Sequence, residues 1–157
     1  MLFRSIRETD RYFALLERPE IANGVGALLY VSIHNNSSEH DWPLGTEVHY
    51  YDKIDEEERD EMELYGIYSK SVAESVQKEM LKALGTFDRG VKNSPRLAVL
   101  NKTNMPAIVI EGAFISNAED FEMIRTEEYA KRYAYATAKG IVEAMNKAYQ
   151  SDNESGF

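Results

Sequence analysis

Two residues with reactive side chains stand where apolar runs stop. His34 closes Ala27-Leu28-Leu29-Tyr30-Val31-Ser32-Ile33-His34, and Glu111 closes Pro106-Ala107-Ile108-Val109-Ile110-Glu111. Both runs are nearly continuous rather than alternating, the pattern of strands covered on both faces in α/β sheets. The ligand crevice of such a sheet lies beyond the carboxyl ends of its strands. An imidazole placed there can ligate a metal or move a proton. A carboxylate directly after an apolar strand is partly desolvated, which raises its pKa toward the range useful to a general acid or base. Each residue also has an ordinary reading. His34 reads as a hydrogen-bonded histidine at a strand end, the commoner case, and Glu111 as a carboxylate accepting backbone N–H groups from the Gly112 turn. His40, in a polar loop, and His49, in an alternating strand, have weaker claims. There is no His-Glu-x-x-His helix and no Gly-x-Ser-x-Gly elbow.

The elements that must carry these groups follow from periodicity and stop signals. Thr9 or Asp10 is placed to cap a helix through Phe13, Leu15, Leu16 and Ile21, with Asn23-Gly24 as its end. The strand ending at His34 gives way to the polar loop Asn35–Asp41, and Pro43 and Gly45 introduce a strand over Thr46–Tyr51. Seven of the nine residues from Asp55 to Glu63 are acidic. They read as a solvated helix N-terminus favoured by the macrodipole rather than a calcium loop, whose alternating oxygen ligands and central glycine are missing. That helix carries Tyr65, Tyr68, Val72, Val76, Met80 and Leu84 at spacings of three or four and closes at Gly85. Leu97–Leu100 is predicted as a short strand, and the chain is predicted to turn away from the next strand at Gly112–Asn117. A last helix sets Tyr129, Tyr133, Thr137, Gly140, Ile141, Ala144 and Ala148 on one stripe. Strands alternating with helices predict a three-layer α/β/α domain with a twisted, largely parallel sheet.

Bulk properties narrow the function. The 157 residues suit one domain, with 43% hydrophobic and 29% charged residues, near globular averages. A net charge of −9 argues against a nucleic-acid partner, which needs clustered basic side chains. Without cysteine there is no disulfide framework, zinc ribbon or thiol nucleophile, so a metal would have to use His, Asp or Glu. No apolar run approaches the ~18–20 residues of a membrane span, and Met1-Leu2-Phe3-Arg4-Ser5 does not read as a signal peptide. No period of 20–50 residues recurs.

A series of blocks carries more information than these patterns. Arg7-Glu8-Thr9-Asp10, Leu16-x-Arg18, Ala22-Asn23, Val31-Ser32-Ile33-His34-Asn35-Asn36, Asp88-Arg89-Gly90-Val91-Lys92, Leu97-Ala98-Val99-Leu100 and Pro106 through Asn117 occur in this order. Together they resemble the zinc-dependent N-acetylmuramoyl-L-alanine amidases of bacterial cell walls, over almost the whole chain from about Phe3 to Tyr149. The resemblance implies that His34 is a Zn2+ ligand and Glu111 the catalytic carboxylate. It implies peptidoglycan as the partner, cleavage of the amide between N-acetylmuramic acid and L-alanine, and a place at the cell wall or outside the cell. That family opens with a strand ending in Asp-Pro-Gly-His-Gly-Gly and a ligand glutamate downstream, and neither is found here. The expectation is therefore an N-terminally truncated amidase domain over 1–150 with a frayed tail over 151–157, holding one of three protein ligands. A fragment, a metal-free relative that only binds or regulates at peptidoglycan, and a chain completed by a separate piece are the alternatives. Glu47 and His49 are nearby donors, but no family motif puts them at the zinc.

Overall fold

The computed structural model describes residues 4–52 and 68–154, with side chains placed through residue 150. The elements are α1 (Glu17–Gly24), β1 (Tyr30–Asn36), β2 (Thr46–Tyr50), α2 (Ser69–Leu84), β3 (Asp88–Asn93), α3 (Ala98–Asn101), β4 (Ala107–Phe114), α4 (Ala118–Ile124) and α5 (Glu127–Glu154). The strands form one sheet in the order β1-β4-β2-β3. β1 runs parallel to β4 and β3 parallel to β2, while β2 and β4 are antiparallel, so the sheet is mixed with parallel pairing prevailing.

Both faces of this sheet are covered, which explains the unbroken apolar run of β4. Ile108 and Ile110 join Val48 from β2, Val72, Val76 and Met80 from α2, and Tyr133 and Ala136 from α5 in the larger core. Ala107 and Val109 point the other way, toward Tyr30, Ala22 of α1, and Val99 and Leu100 of α3. The helices of the first face pack very closely. A Cβ on Gly140 of α5 would lie 2.6 Å from the Cα of Val76, so only glycine lets the two backbones approach there. Gly85 ends α2 at φ +69°, a left-handed cap that a side chain would strain.

Several expectations are corrected. α1 begins at Glu17 rather than at Thr9 or Asp10, because the residues before it have no face to bury: Tyr12, Leu15 and Leu16 all stay exposed. Leu97–Leu100 is not a strand but leads into the single-turn helix α3, which presses Val99 and Leu100 onto the core below the sheet. Four apolar residues fit either form, and here one turn buries the two that matter. β3 escapes notice as a strand because an edge strand of Asp, Arg, Gly, Val, Lys and Asn has little apolar signal. β4 continues past Gly112 to Phe114 before it turns, and β1 starts at Tyr30 and runs on to Asn36. α5 runs to Glu154. The acidic stretch Asp55–Glu63 and Tyr65 lie outside the described residues.

Candidate active site

Strand register brings three titratable side chains into one row. His34 of β1 pairs with Glu111 of β4, and Glu111 pairs on its other side with Glu47 of β2. Residues directly opposite in a sheet share a face, here the face of Ala107 and Val109. α1 and α3 cover that face around Tyr30 and Val109. The row lies farther along, at the carboxyl ends of β1 and β4, where the topology predicts a crevice.

The two carboxylates of the row live in opposite surroundings. Glu47 is buried, yet every oxygen is engaged. Its Oε1 accepts from Asn36 Nδ2 and lies 3.0 Å from His49 Nε2, while Oε2 accepts from Arg89 Nε at 2.7 Å and Lys92 Nζ at 2.5 Å. Burial works against its charge, but the hydrogen bonds from His49, Lys92 and Arg89 prevail and hold the carboxyl far below the usual range. Because the carboxylate is ionised, His49 donates through Nε2, and its Nδ1 lies 2.8 Å from the Ser94 hydroxyl. Glu111 has no such company. Its Oε2 is buried without a hydrogen-bond partner. Burial pushes its pKa up to about 7, with the Glu47 charge adding to the rise and His49 opposing it. Two neighbouring carboxyl groups with pKa values driven apart are the usual sign of divided roles, one a fixed charge and one a proton carrier.

His34 completes the row as a neutral imidazole. Burial lowers its pKa first, and the nearby charges of Arg18 and Arg7 lower it further. Its Nε2 lies 2.9 Å from Ser32 Oγ on the same strand. The backbones carrying His34 and Glu111 are tied together from the opposite side of the sheet. The Tyr133 hydroxyl on α5 lies 2.8 Å from the carbonyl oxygen of His34 and 3.1 Å from that of Ile110. The Tyr129 hydroxyl bonds Asn35 Oδ1. Gly112 permits this approach: a Cβ there would sit 2.5 Å from the Tyr129 hydroxyl. At the end of the crevice, Asp120 accepts from the N–H groups of Gly45 and Phe114, fixing the start of β2 against the end of β4.

This geometry accompanies a consistent set of similarities. The sequence pattern of N-acetylmuramoyl-L-alanine amidases matches residues 3–143. The chain belongs to that family. An N-acetylmuramoyl-L-alanine amidase of Bacillus subtilis is 34% identical over 136 residues, which is 87% of this chain and 25% of the relative. The endolysin of Bacillus phage SPP1 is 30% identical over 140 residues, 89% of this chain and 48% of the endolysin. Among solved structures, the amidase of Clostridium difficile 630 superposes with a TM-score of 0.77 at 28% identity, over 90% of this chain and 70% of that one. An amidase of Nostoc punctiforme gives 0.77 at 30% identity, over 90% and 71%. The chain thus spans a quarter of that Bacillus subtilis amidase and about half of that endolysin.

The amidase family is generally zinc-dependent, so the donor set can be tested for fit. A catalytic zinc takes about three protein ligands and leaves a position for water. The described residues offer one imidazole in the row that is not tied to a carboxylate, His34, whose Nε2 meets only Ser32 Oγ. Glu47 and His49 are turned toward each other and toward Arg89, Lys92 and Ser94. No group of three or more His, Asp or Glu among the described residues could hold a metal. This donor set falls short of a zinc site. His40 takes no part in the row; its ring stacks on Trp42 in the loop after β1.

Sequence reasoning singled out His34 and Glu111 but gave no role to Glu47, Arg89, Lys92 or Tyr133. A signal did exist for the cations, since Arg89 and Lys92 sit inside one of the recurring blocks. For Tyr133 there was only a helical stripe, which reads as core.

Proposed function

We propose that this chain carries the proton-transfer half of a peptidoglycan amidase site, with Glu111 as its catalytic carboxylate and His34 as its one metal-ligating residue. The observation that supports this most is the contrast within the row: Glu111 has an unpartnered buried oxygen and a pKa near neutrality, beside a Glu47 whose hydrogen bonds hold it well below the usual carboxylate range. The substrate is the amide joining N-acetylmuramic acid to L-alanine. Glu111 takes a proton from the attacking water and returns it to the departing amine of L-alanine, a cycle that works best when its pKa lies near the working pH. Glu47 keeps a fixed negative charge beside it and so helps to hold the proton on Glu111 between the two steps. The place of action is the cell wall or the outer side of the membrane; no helix of the described residues is long and apolar enough to cross one.

The test is release of new L-alanine amino termini from purified cell walls at saturating zinc. Glu111→Ala should lower the rate about 10²- to 10⁴-fold with an unchanged fold. An unchanged rate removes Glu111 from the chemistry. One observation favours a second reading, a wall-binding or regulatory module without turnover: the shortfall of metal donors among the described residues. Under that reading the same assay shows chain bound to walls and no new amino termini, with or without Glu111.

A further inference from the structure

Trp42, the chain's single tryptophan, takes no part in the row of titratable side chains. It is 70% exposed, in the loop from Ser37 to Gly45 that joins β1 to β2. Because β4 lies between those two strands, this loop crosses the end of the sheet at which His34 and Glu111 stand.

Singly exposed apolar side chains are common on a protein surface, but Trp42 is held in place. Ser38 N–H donates to Ser116 Oγ at 3.0 Å, Asn117 Nδ2 donates to the carbonyl oxygen of Asp41 at 2.8 Å, and Gly45 N–H donates to Asp120 Oδ2 at 2.9 Å. All three partners belong to the turn after β4 and the start of α4. On the other side of Trp42, Pro43 is buried. The indole is thus turned outward between two anchored neighbours. The His40 ring backs one of its faces, with centroids 5.9 Å apart and planes 19° from parallel. The opposite face is left for a ligand.

The surroundings select the chemistry of that ligand. Ser37 to Gly45 contains no Lys or Arg, and Glu39 and Asp41 beside Trp42 are exposed carboxylates. Arg89 reaches the Leu44 carbonyl, but Glu47 engages it. An anionic lipid or peptide would be repelled here, and tryptophans that meet a bilayer are normally accompanied by basic side chains. A sugar suits the same features. The polarised C–H bonds on one side of a pyranose ring meet the negative π face of an indole, and its hydroxyls donate to carboxylates.

We infer that Trp42, backed by His40, is a platform on which a sugar of the substrate's glycan strand stacks, with Asp41 and Glu39 accepting from its hydroxyls. The inference rests on the reading of peptidoglycan as substrate, since that brings a glycan strand to this end of the sheet. Asn117, which holds Asp41, follows Glu111 by six positions, at most about 20 Å of extended chain. The stacked sugar therefore lies along the strand from the muramyl unit whose amide is cut.

Because the chain has one tryptophan, its fluorescence reports Trp42 alone. The probe is a soluble linear tetramer of N-acetylglucosamine. It is uncharged and lacks the muramyl amide, so its binding is separate from the outcome of Glu111→Ala. Titration should change the emission saturably with a Kd of about millimolar or tighter, and amide NMR shifts should centre on His40 to Leu44. Trp42→Ala should weaken binding at least about tenfold by NMR, while Trp42→Tyr, which keeps an aromatic face, should retain most of it. Tyr135→Ala, which removes an exposed ring from α5, should leave binding intact. No saturable change up to about 10 mM tetramer, binding that survives Trp42→Ala, or shifts centred away from this loop would overturn the inference. An emission change with phosphatidylglycerol vesicles and none with the tetramer would also overturn it, and would assign Trp42 to a membrane surface.

Discussion

One face of the sheet answers its buried carboxylate in full, and the other answers Glu47 but leaves its neighbour Glu111 open. On the α2/α5 face, Val48, Ile108, Ile110 and Met80 are fully enclosed. The buried acid that packs between these helices, Glu79, is answered by Lys139 at 2.6 Å and Lys82 at 2.5 Å, whose hydrogen bonds hold its carboxyl below the usual range. On the other face Glu111 keeps an oxygen with no partner at all. Ser75 Oγ, Gln77 Oε1 and Asn101 Oδ1 share that condition, but they are neutral and cannot titrate. A buried group that might ionise is costly to leave unanswered. The chain answers it where the task is holding α2 to α5 and, where strand ends converge, answers Glu47 but leaves Glu111 without a partner. The lesson is that an unanswered group able to ionise, rather than charge or unmet hydrogen bonding as such, marks the working side of this sheet.

The comparison can be broken first where the effect is largest. Met80→Ala opens a cavity in the sealed face and should cost about 2–5 kcal/mol in urea unfolding, with the environment of His34 and Glu111 unchanged by NMR. A large disturbance of the row would mean that the two faces are not separable. The next test is of opposite sign. A carboxyl whose pKa is raised on folding favours the folded state fully below its unfolded value, near 4.5, and loses that advantage as pH rises through about 7. Glu111→Gln should remove this loss. At pH 8 it should stabilise the metal-free chain by on the order of 1–2 kcal/mol, less than the full shift would give because the residue keeps some contact with water. At pH 4 it should change little. Equal stability of the two proteins across this range would show that Glu111 is as well satisfied as Glu79.

The smallest effect concerns metal. With a single imidazole in the row available to a metal among the described residues, calorimetric titration of the stripped chain should find zinc bound more weakly than about micromolar. His34→Ala should then alter the affinity by less than about tenfold. One zinc per chain bound tightly, and lost in His34→Ala, would reveal ligands beyond those described.

How much of this was readable beforehand depended on where the information lay. His34 and Glu111 were legible because each ends an apolar run, and a strand end in a covered sheet is a place with few residue types to spare. The alternation of strands and helices likewise gave the three layers. What escaped notice was relational. Glu47 looked like one polar position of an alternating strand, and nothing local says that register will set it against Glu111. β3 was hidden because an edge strand can be built of polar residues. Leu97–Leu100 was read as a strand because four apolar residues carry no period. Tyr133 was legible as core and not as the hydroxyl that clasps the backbones of β1 and β4, since a hydrogen bond to a carbonyl 99 residues away leaves no trace in spacing.

The central claim is the division of labour between two adjacent carboxyl groups, and it is measured most directly by following the side-chain carboxyl carbons of Glu47 and Glu111 by NMR as the metal-free chain is titrated from pH 3 to pH 9. The account predicts that Glu111 titrates at about 7 while Glu47 stays ionised across the whole range. A Glu111 that titrates near 4.5, the ordinary value for a glutamate, would contradict it.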